Sequence, residues 1–268
     1  MEKYITEHYP DECTFDTVDM QDGSWRQTSF AEYDVVFHVA GIAHQKETKE
    51  NAPQYYTVNR DLAIEVARKT KADRVKQFIF LSSMSVYGLL KGRISEETLL
   101  KPKTNYGKSK LQAEEGIICL QDDTFKVCIL RPPMIYGKGC KGNYLSLRKF
   151  ALKMKLFPYV RNERSMLYIE NLCEFVRLMI ANEESGIFFP QNSEYTNTSE
   201  MVKMIAAAHG RKLKLMRGTA WAVRFMGLFT GLVKKAFGNL TYDKTMSAYK
   251  EEYAKYSLVQ SIEETENE

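Results

Sequence analysis

In TNYGKSK, Thr104 to Lys110, a tyrosine and a lysine stand four residues apart, ahead of a run, LQAEEGII, that reads as helix. Positions i and i+4 share one face of a helix, so the side chains of Tyr106 and Lys110 can point the same way. An ammonium near a phenol favours the phenolate and lowers the tyrosine pKa from its reference of ~10, which makes it usable as a general base near neutral pH. The spacing also arises by chance in a chain with 16 tyrosines, so the pair could equally be two ordinary residues on a helix flank. The preceding apolar run ends in LSSMSVYG (81–88). This places Ser82, Ser83 and Ser85 at the carboxyl end of a parallel strand, where ligands of such sheets bind. A serine there can hold the substrate hydroxyl whose proton the tyrosine removes; the alternative is that the three serines cap a turn.

The elements that must position these residues follow from periodicity. CTFDTVD (13–19) reads as a short strand running into a loop. YDVVFHVAG (33–41) is a near-continuous apolar run closed by glycine, as expected of a strand buried on both faces of a parallel sheet. In NAPQYYTVNRDLAIEVARKT, Val58, Leu62 and Val66 predict one apolar helical stripe. KQFIFLSS (76–83) is a second buried strand, a helix spans about 106–120, and KVCILRPP (126–133) is a third strand halted by two prolines. This alternation predicts an α/β fold with a doubly wound, Rossmann-like parallel sheet. Residues 1–140 are expected to form the cofactor-binding region. Residues 141–268 are expected to be mainly a smaller C-terminal substrate-binding lobe, with some segments returning to the sheet and a helix from about Ser199 to His209. The acidic tail EETENE is expected to fray.

With 44% hydrophobic residues the chain can bury a substantial core. The 38 basic and 34 acidic residues are interspersed, so nothing demands nucleic acid or an anionic membrane as partner. Cys13, Cys119, Cys128, Cys140 and Cys173 have no CxxC spacing and point to a reducing, cytoplasmic setting, with no metal site expected. MEKYITEHYPDE lacks the apolar stretch of a secretory leader. The most membrane-like window, Thr219 to Val233, carries Arg224 and is too short to span a bilayer. It either lies on a surface or packs against the protein's own core, and the second reading is preferred.

The segments VDMQD, HVAGIAH, YTVN, FLSSMSVYG, YGKSK, ILRPPMIYG and RSMLYIENL occur in this order along the chain. Together they resemble the extended short-chain dehydrogenase/reductase family, in its NAD-dependent nucleotide-sugar epimerase/dehydratase branch. The resemblance runs from about Phe15 onward and is specific as far as about Leu172. It implies Tyr106 as base, Lys110 as its partner and binder of the nicotinamide ribose, and Ser83 as the catalytic hydroxyl, with Ser85 in reserve. Asp19 and Met20, Ala40 and Gly41, Ser82 and Pro133 would border the cofactor, NAD or NADP; Asp16 and Asp22 are weaker choices than Asp19. Asn59 matches a structural asparagine. Asn143, in the loop entering a helix at GKGCKGNYLSLRKF, would make diphosphate or base contacts with a nucleotide sugar, and Arg164 would contact its diphosphate. His38 reads as a core residue. His44, Tyr168 and LTYDK (240–244) are lesser candidates for the pocket, and a homodimer is the family habit.

Two departures qualify the resemblance. The family's G-x-x-G-x-x-G loop, whose amides hold the cofactor pyrophosphate, has no counterpart in these residues. Residues 2–8 read as the end of the helix that should follow it, so about fifteen to twenty residues are expected ahead of Met1. Either the chain is a fragment or mis-started version of a full enzyme, the preferred reading, or it binds cofactor weakly or not at all. An in-frame Gly-rich motif in the coding DNA upstream of Met1 would decide. Dehydratases of this branch carry an Asp-Glu pair where Met84 and Ser85 stand, which disfavours dehydration. The sequence therefore points to an NAD-dependent epimerase acting on a nucleoside-diphosphate sugar through a transient keto intermediate. The alternatives are an NAD(P)H-dependent reductase of the same fold, or a non-catalytic truncated Rossmann-like binding protein.

Overall fold

A computed structural model describes residues 1–43, 45–218 and 237–267. In chain order the elements begin with α1 (Glu2–His8), β1 (Val35–His38), α2 (Ala52–Tyr56), α3 (Leu62–Ala72), β2 (Gln77–Leu81), β3 (Gly92–Ile94), α4 (Asn105–Ile118) and β4 (Lys126–Leu130). They continue with β5 (Met134–Tyr136), α5 (Asn143–Lys153), β6 (Leu156–Pro158), β7 (Met166–Tyr168), α6 (Ile169–Ala181), β8 (Gly186–Phe188), α7 (Thr198–Ala208), β9 (Lys214–Met216), β10 (Leu240–Tyr242) and a C-terminal helix, Leu258–Glu266. They form two units. The first comprises Met1–Gly88, Leu99–Pro132 and Cys173–Pro190; the second comprises Leu89–Thr98, Pro133–Leu172 and Gln191–Glu268.

The first unit is built on an all-parallel sheet in the order β1-β2-β4-β8, with Val36 opposite Phe78 and Phe78 opposite Val127. Alternate residues of a strand face opposite sides. Phe78, Phe80, Val127 and Ile129 turn into one cluster with Val66 of α3 and Ala113 and Ile117 of α4. On the other side the Gln77 amide donates to the carbonyls of Met179 and Glu184, both at 2.9 Å, so α6 covers that face. Helices on both faces of a parallel sheet make the fold doubly wound, as the alternation predicts. β1 departs from its prediction: Val35 to Phe37 are only half-buried, because among the described residues β1 is an edge strand with β2 as its sole neighbour.

Three further segments differ from their sequence reading. Residues 13–19 are irregular and pair with no strand among the described residues; Phe15 packs beside Tyr4, Ile5 and Cys173, and Val18 joins the core cluster of α3 and α4. Between α2 and α3, Thr57–Asp61 forms a π turn. The extra residue shifts the apolar stripe, so Tyr55, Asn59, Ala63 and Val66 are buried while Val58 and Leu62 are half-buried. In the second unit the expected frayed tail is instead a helix with a capping box at Ser257 and Gln260. Its Glu266 is buried because it finds three partners: the Tyr144 hydroxyl donates at 2.7 Å, Arg148 Nε at 2.6 Å, and His209 Nε2 lies at 2.7 Å.

The second unit consists of two-stranded parallel pairs, β3 with β10, β5 with β7 and β6 with β9, around a core formed by α5, α7 and the C-terminal helix. Its centre is aromatic. Tyr136 stacks on Tyr144 at 5.6 Å between centroids, and the Tyr136 hydroxyl lies 2.5 Å from Ser261 Oγ. The Thr219–Val233 window lies outside the described residues.

Candidate active site

The site of the first unit is assembled where β2 ends and α4 begins. Ser83, in extended conformation, caps a 3-10 turn over Met84–Tyr87, and its Oγ accepts from Ser85 N at 3.1 Å. Of the three serines, Ser83 thus does cap a turn. The Ser83 hydroxyl donates to Ser85 Oγ at 3.1 Å and is near enough to the Tyr106 phenol to lower its pKa. Close approach of α4 to the serine turn depends on Gly107, where a Cβ would stand 2.6 Å from the Ser85 carbonyl oxygen.

The start of α4 is held from two sides. Thr104 Oγ1 accepts from Gly107 N at 3.1 Å, as an N-cap should. The Glu47 carboxylate accepts from Asn105 N at 3.0 Å and Tyr106 N at 3.1 Å, placing negative charge at the positive end of the helix. Lys110 is 3% exposed; its Nζ donates to the Leu81 carbonyl at 2.8 Å and lies 4.5 Å from the centre of the Phe80 ring. One turn on, Glu114 is 1% exposed and accepts from Ser82 Oγ, and Arg131 Nη2 donates to it at 2.6 Å. Tyr106, Lys110 and Glu114 therefore form one stripe at i, i+4 and i+8.

The electrostatics differ from the expectation in one respect. Burial pushes the Tyr106 phenol above its ordinary range, and the nearby Ser83 hydroxyl acts in the opposite direction. Burial also lowers Lys110 to about 8, against the opposing pull of Glu114. The ammonium does not prepare a phenolate in the resting protein because it is turned onto Leu81 and Phe80. An ammonium has three donors, and one is committed here.

Gly41 follows β1. A Cβ at Gly41 would lie 2.9 Å from Asn59 Oδ1 and 3.4 Å from Lys110 Nζ, so only glycine leaves this approach to Lys110 open. Asn59 fixes the adjoining loop, accepting from Ile42 N at 2.7 Å and donating to the Ile42 carbonyl at 3.1 Å. Ala40 beside it is half-buried. Asp19 is exposed and accepts from Gln21 N at 2.9 Å, while Met20 packs on the core of the unit. Ser82 is buried with its hydroxyl on Glu114, which leaves Ser83 and Ser85 as the hydroxyls at the turn. His38 is a core residue between Phe78 and Phe80; burial, with Lys110 adding to it, lowers its pKa to about 3. His44 lies outside the described residues.

The remaining candidates belong to the second unit. Pro133 is buried at its start, Asn143 is the exposed first residue of α5, and Tyr168 is part of the core. Arg164 is half-buried, donates from Nη1 to the Gly238 carbonyl at 2.9 Å, and has no carboxylate partner among the described residues; burial lowers its pKa. In LTYDK, Leu240–Tyr242 are β10, and Lys244 donates to the Asn192 and Ser193 carbonyls.

Sequence reasoning missed Glu47, Glu114 and Arg131. Glu114 carried a readable signal, being four residues beyond Lys110. The other two come from distant segments and carried none.

A doubly wound parallel sheet with a tyrosine, a lysine and a serine at the carboxyl end of a central strand defines an α/β protein of the dinucleotide-binding class. The chain belongs to the NAD dependent epimerase/dehydratase family, whose model matches residues 2–189. It is 30% identical over 223 residues to a UDP-glucose 4-epimerase of Vibrio cholerae, covering 78% of this chain and 68% of that protein. It is 28% identical over 205 residues to the N-acetyl-alpha-D-glucosaminyl-diphospho-ditrans,octacis-undecaprenol 4-epimerase of Escherichia coli O157:H7, covering 74% of this chain and 61% of that one. Among solved structures, UDP-glucuronic acid 4-epimerase from Bacillus cereus in complex with NAD superposes with a TM-score of 0.65 at 20% identity, covering 87% and 73% of the two chains. That likeness bears on the fold.

Proposed function

We propose that this chain is an NAD-dependent epimerase acting at a secondary hydroxyl of a nucleoside-diphosphate sugar through a transient keto intermediate. The observation that carries the reading is the convergence of the Tyr106 phenol, on the helix that carries Lys110, with the Ser83 turn at the end of a parallel strand, near enough for Ser83 to lower the phenol's pKa. Tyr106 takes the proton of the sugar hydroxyl and later returns it. Ser83 holds the sugar oxygen, turning its hydroxyl from Ser85 Oγ to the substrate. Bound NAD supplies the hydride acceptor and donor for the sugar carbon, together with a positive charge that favours the phenolate. Lys110 offers its remaining donors to the nicotinamide ribose, with Gly41 and Ala40 leaving room beside it and Asp19 and Met20 bordering the adenine end.

Residues 1–140 hold the cofactor in this reading, and 141–268 mainly hold the substrate. Arg164, lacking an acidic partner among the described residues, supports a diphosphate contact, with Asn143 as a second. The five free cysteines support a cytoplasmic setting. Among the described residues no helix is long and apolar enough to cross a membrane. A homodimer completes the reading, and light scattering tests it.

Replacing Tyr106 with Phe is expected to lower turnover by about 10²- to 10⁴-fold while nucleotide-sugar affinity stays within a few-fold. Turnover equal to that of the unsubstituted protein would remove Tyr106 from the mechanism. Recycling of tightly held NAD marks the epimerase. Stoichiometric consumption of NADPH would mark the reductase instead.

A further inference from the structure

The second unit carries a surface that the epimerase reading does not use. Segment 144–161 and segment 203–218 each lack Asp and Glu, although acids nearly balance bases over the whole chain. The fold joins the two. β6 pairs with β9, Leu156 opposite Lys214, and the Lys214 amide donates to the Lys155 carbonyl at 3.0 Å. Register partners project to the same face of the pair, so exposed Leu156 stands beside exposed Lys214, and α5 ends just before β6. At this junction Phe150, Met154 and Leu156 are 44%, 37% and 48% exposed, interleaved with exposed Lys149, Lys153 and Lys155. Beside β9 is a cavity of about 420 Å³ lined by Lys203, Lys212, Lys214 and Arg217, with Tyr159 and the single acid Glu200.

The geometry points to a docking surface for an anionic lipid bilayer, with Phe150, Met154 and Leu156 entering the boundary between headgroups and acyl chains and the lysines meeting the phosphates. Charge complementarity selects the partner. Long lysine stems lie along apolar surface with their ammonium groups at the polar level, and large apolar residues set among lysines match an interface that is apolar beneath and anionic above. Nucleic acid would use the same cations but leave Met154 and Leu156 without a role. An acidic protein would need a shaped counterpart to three protruding apolar side chains. The inference is independent of the proposed chemistry, because none of its residues belongs to the catalytic set.

Co-sedimentation of the full chain with vesicles tests it. The protein is expected to partition onto phosphatidylcholine vesicles containing phosphatidylglycerol, to stay in solution with phosphatidylcholine alone, and to be released by high salt. The pairs Lys153→Gln with Lys155→Gln, and Lys212→Gln with Lys214→Gln, are each expected to weaken partition by roughly tenfold or more. Phe150→Ser with Leu156→Ser is expected to weaken it at unchanged charge, and inorganic phosphate should not compete. All these positions are exposed, and an unchanged melting temperature verifies folding. The proposal is overturned by absence of binding to anionic vesicles, by equal binding to neutral ones, by lysine variants that bind like the unsubstituted protein, or by tighter binding to a DNA duplex than to the vesicles.

Discussion

Lys110 shows how much of this site is maintained at the expense of stability. Its amine is buried and still has to be charged to bind anything by hydrogen bonds and charge together. Burial lowers its pKa from 10.5 to about 8, which corresponds to roughly 3 kcal/mol against the charged form. The unfolded chain keeps the proton up to the higher of these values and the folded chain only up to the lower. Between them the unfolded state binds more protons, so stability rises as pH rises through that window. Lys110→Met is therefore expected to be more stable than the unsubstituted protein near neutral pH, with the advantage shrinking as the pH climbs past 8, while activity is lost. Urea unfolding of both proteins across the window measures this. An advantage that stays constant with pH would mean that the charge of Lys110 is not what destabilises the fold.

The contact between α4 and the serine turn is the element-level counterpart. A methyl group at Gly107 would meet a backbone carbonyl 2.6 Å away, an atom that cannot swing aside as a long side chain can. Gly107→Ala is expected to cost about 1–3 kcal/mol and to separate Ser83 from Tyr106, so that turnover falls well beyond any change in folded fraction. Thermal melts and activity measured on the folded protein distinguish the two effects; a variant with wild-type turnover per folded molecule would show that α4 can withdraw without consequence. This contact also explains what could be read in advance. Ser83, Tyr106 and Lys110 were legible because a strand end and an i, i+4 pair are local patterns. Glu47, 59 residues from Tyr106 along the chain, reaches it only through the tertiary fold. The stripe Val58, Leu62, Val66 was misplaced because a π turn adds a residue that periodicity does not announce. Segment 13–19 has strand-forming residues, yet a strand needs a neighbour, and that information is not in the segment itself.

At the scale of the whole molecule, charge that looks evenly mixed along the chain becomes sorted in space. The lysines near residue 150 and those near 214 are separate short clusters until β6 and β9 pair, which is why composition alone gave no sign of a basic face. The same holds for the acidic end of the chain, whose composition argues for a solvated tail while the fold draws Glu266 inward. Burial acts to raise the pKa of Glu266, but hydrogen bonds from His209, Arg148 and Tyr144 outweigh it and hold the carboxyl below its usual value. A group whose folded pKa is depressed adds stability above its unfolded pKa, and that contribution is lost as pH falls through the folded value. Glu266→Gln removes the charge while keeping the shape, and is expected to destabilise the protein by roughly 2–4 kcal/mol at neutral pH by leaving Arg148 without its buried anion. Because this contribution is absent from the variant, its stability should fall less steeply than that of the unsubstituted protein below about pH 4.5, the reference value of the carboxyl. Denaturant midpoints at neutral and acid pH give both quantities. Parallel acid limbs for the two proteins would show that Glu266 is not the carboxylate whose protonation loosens the second unit.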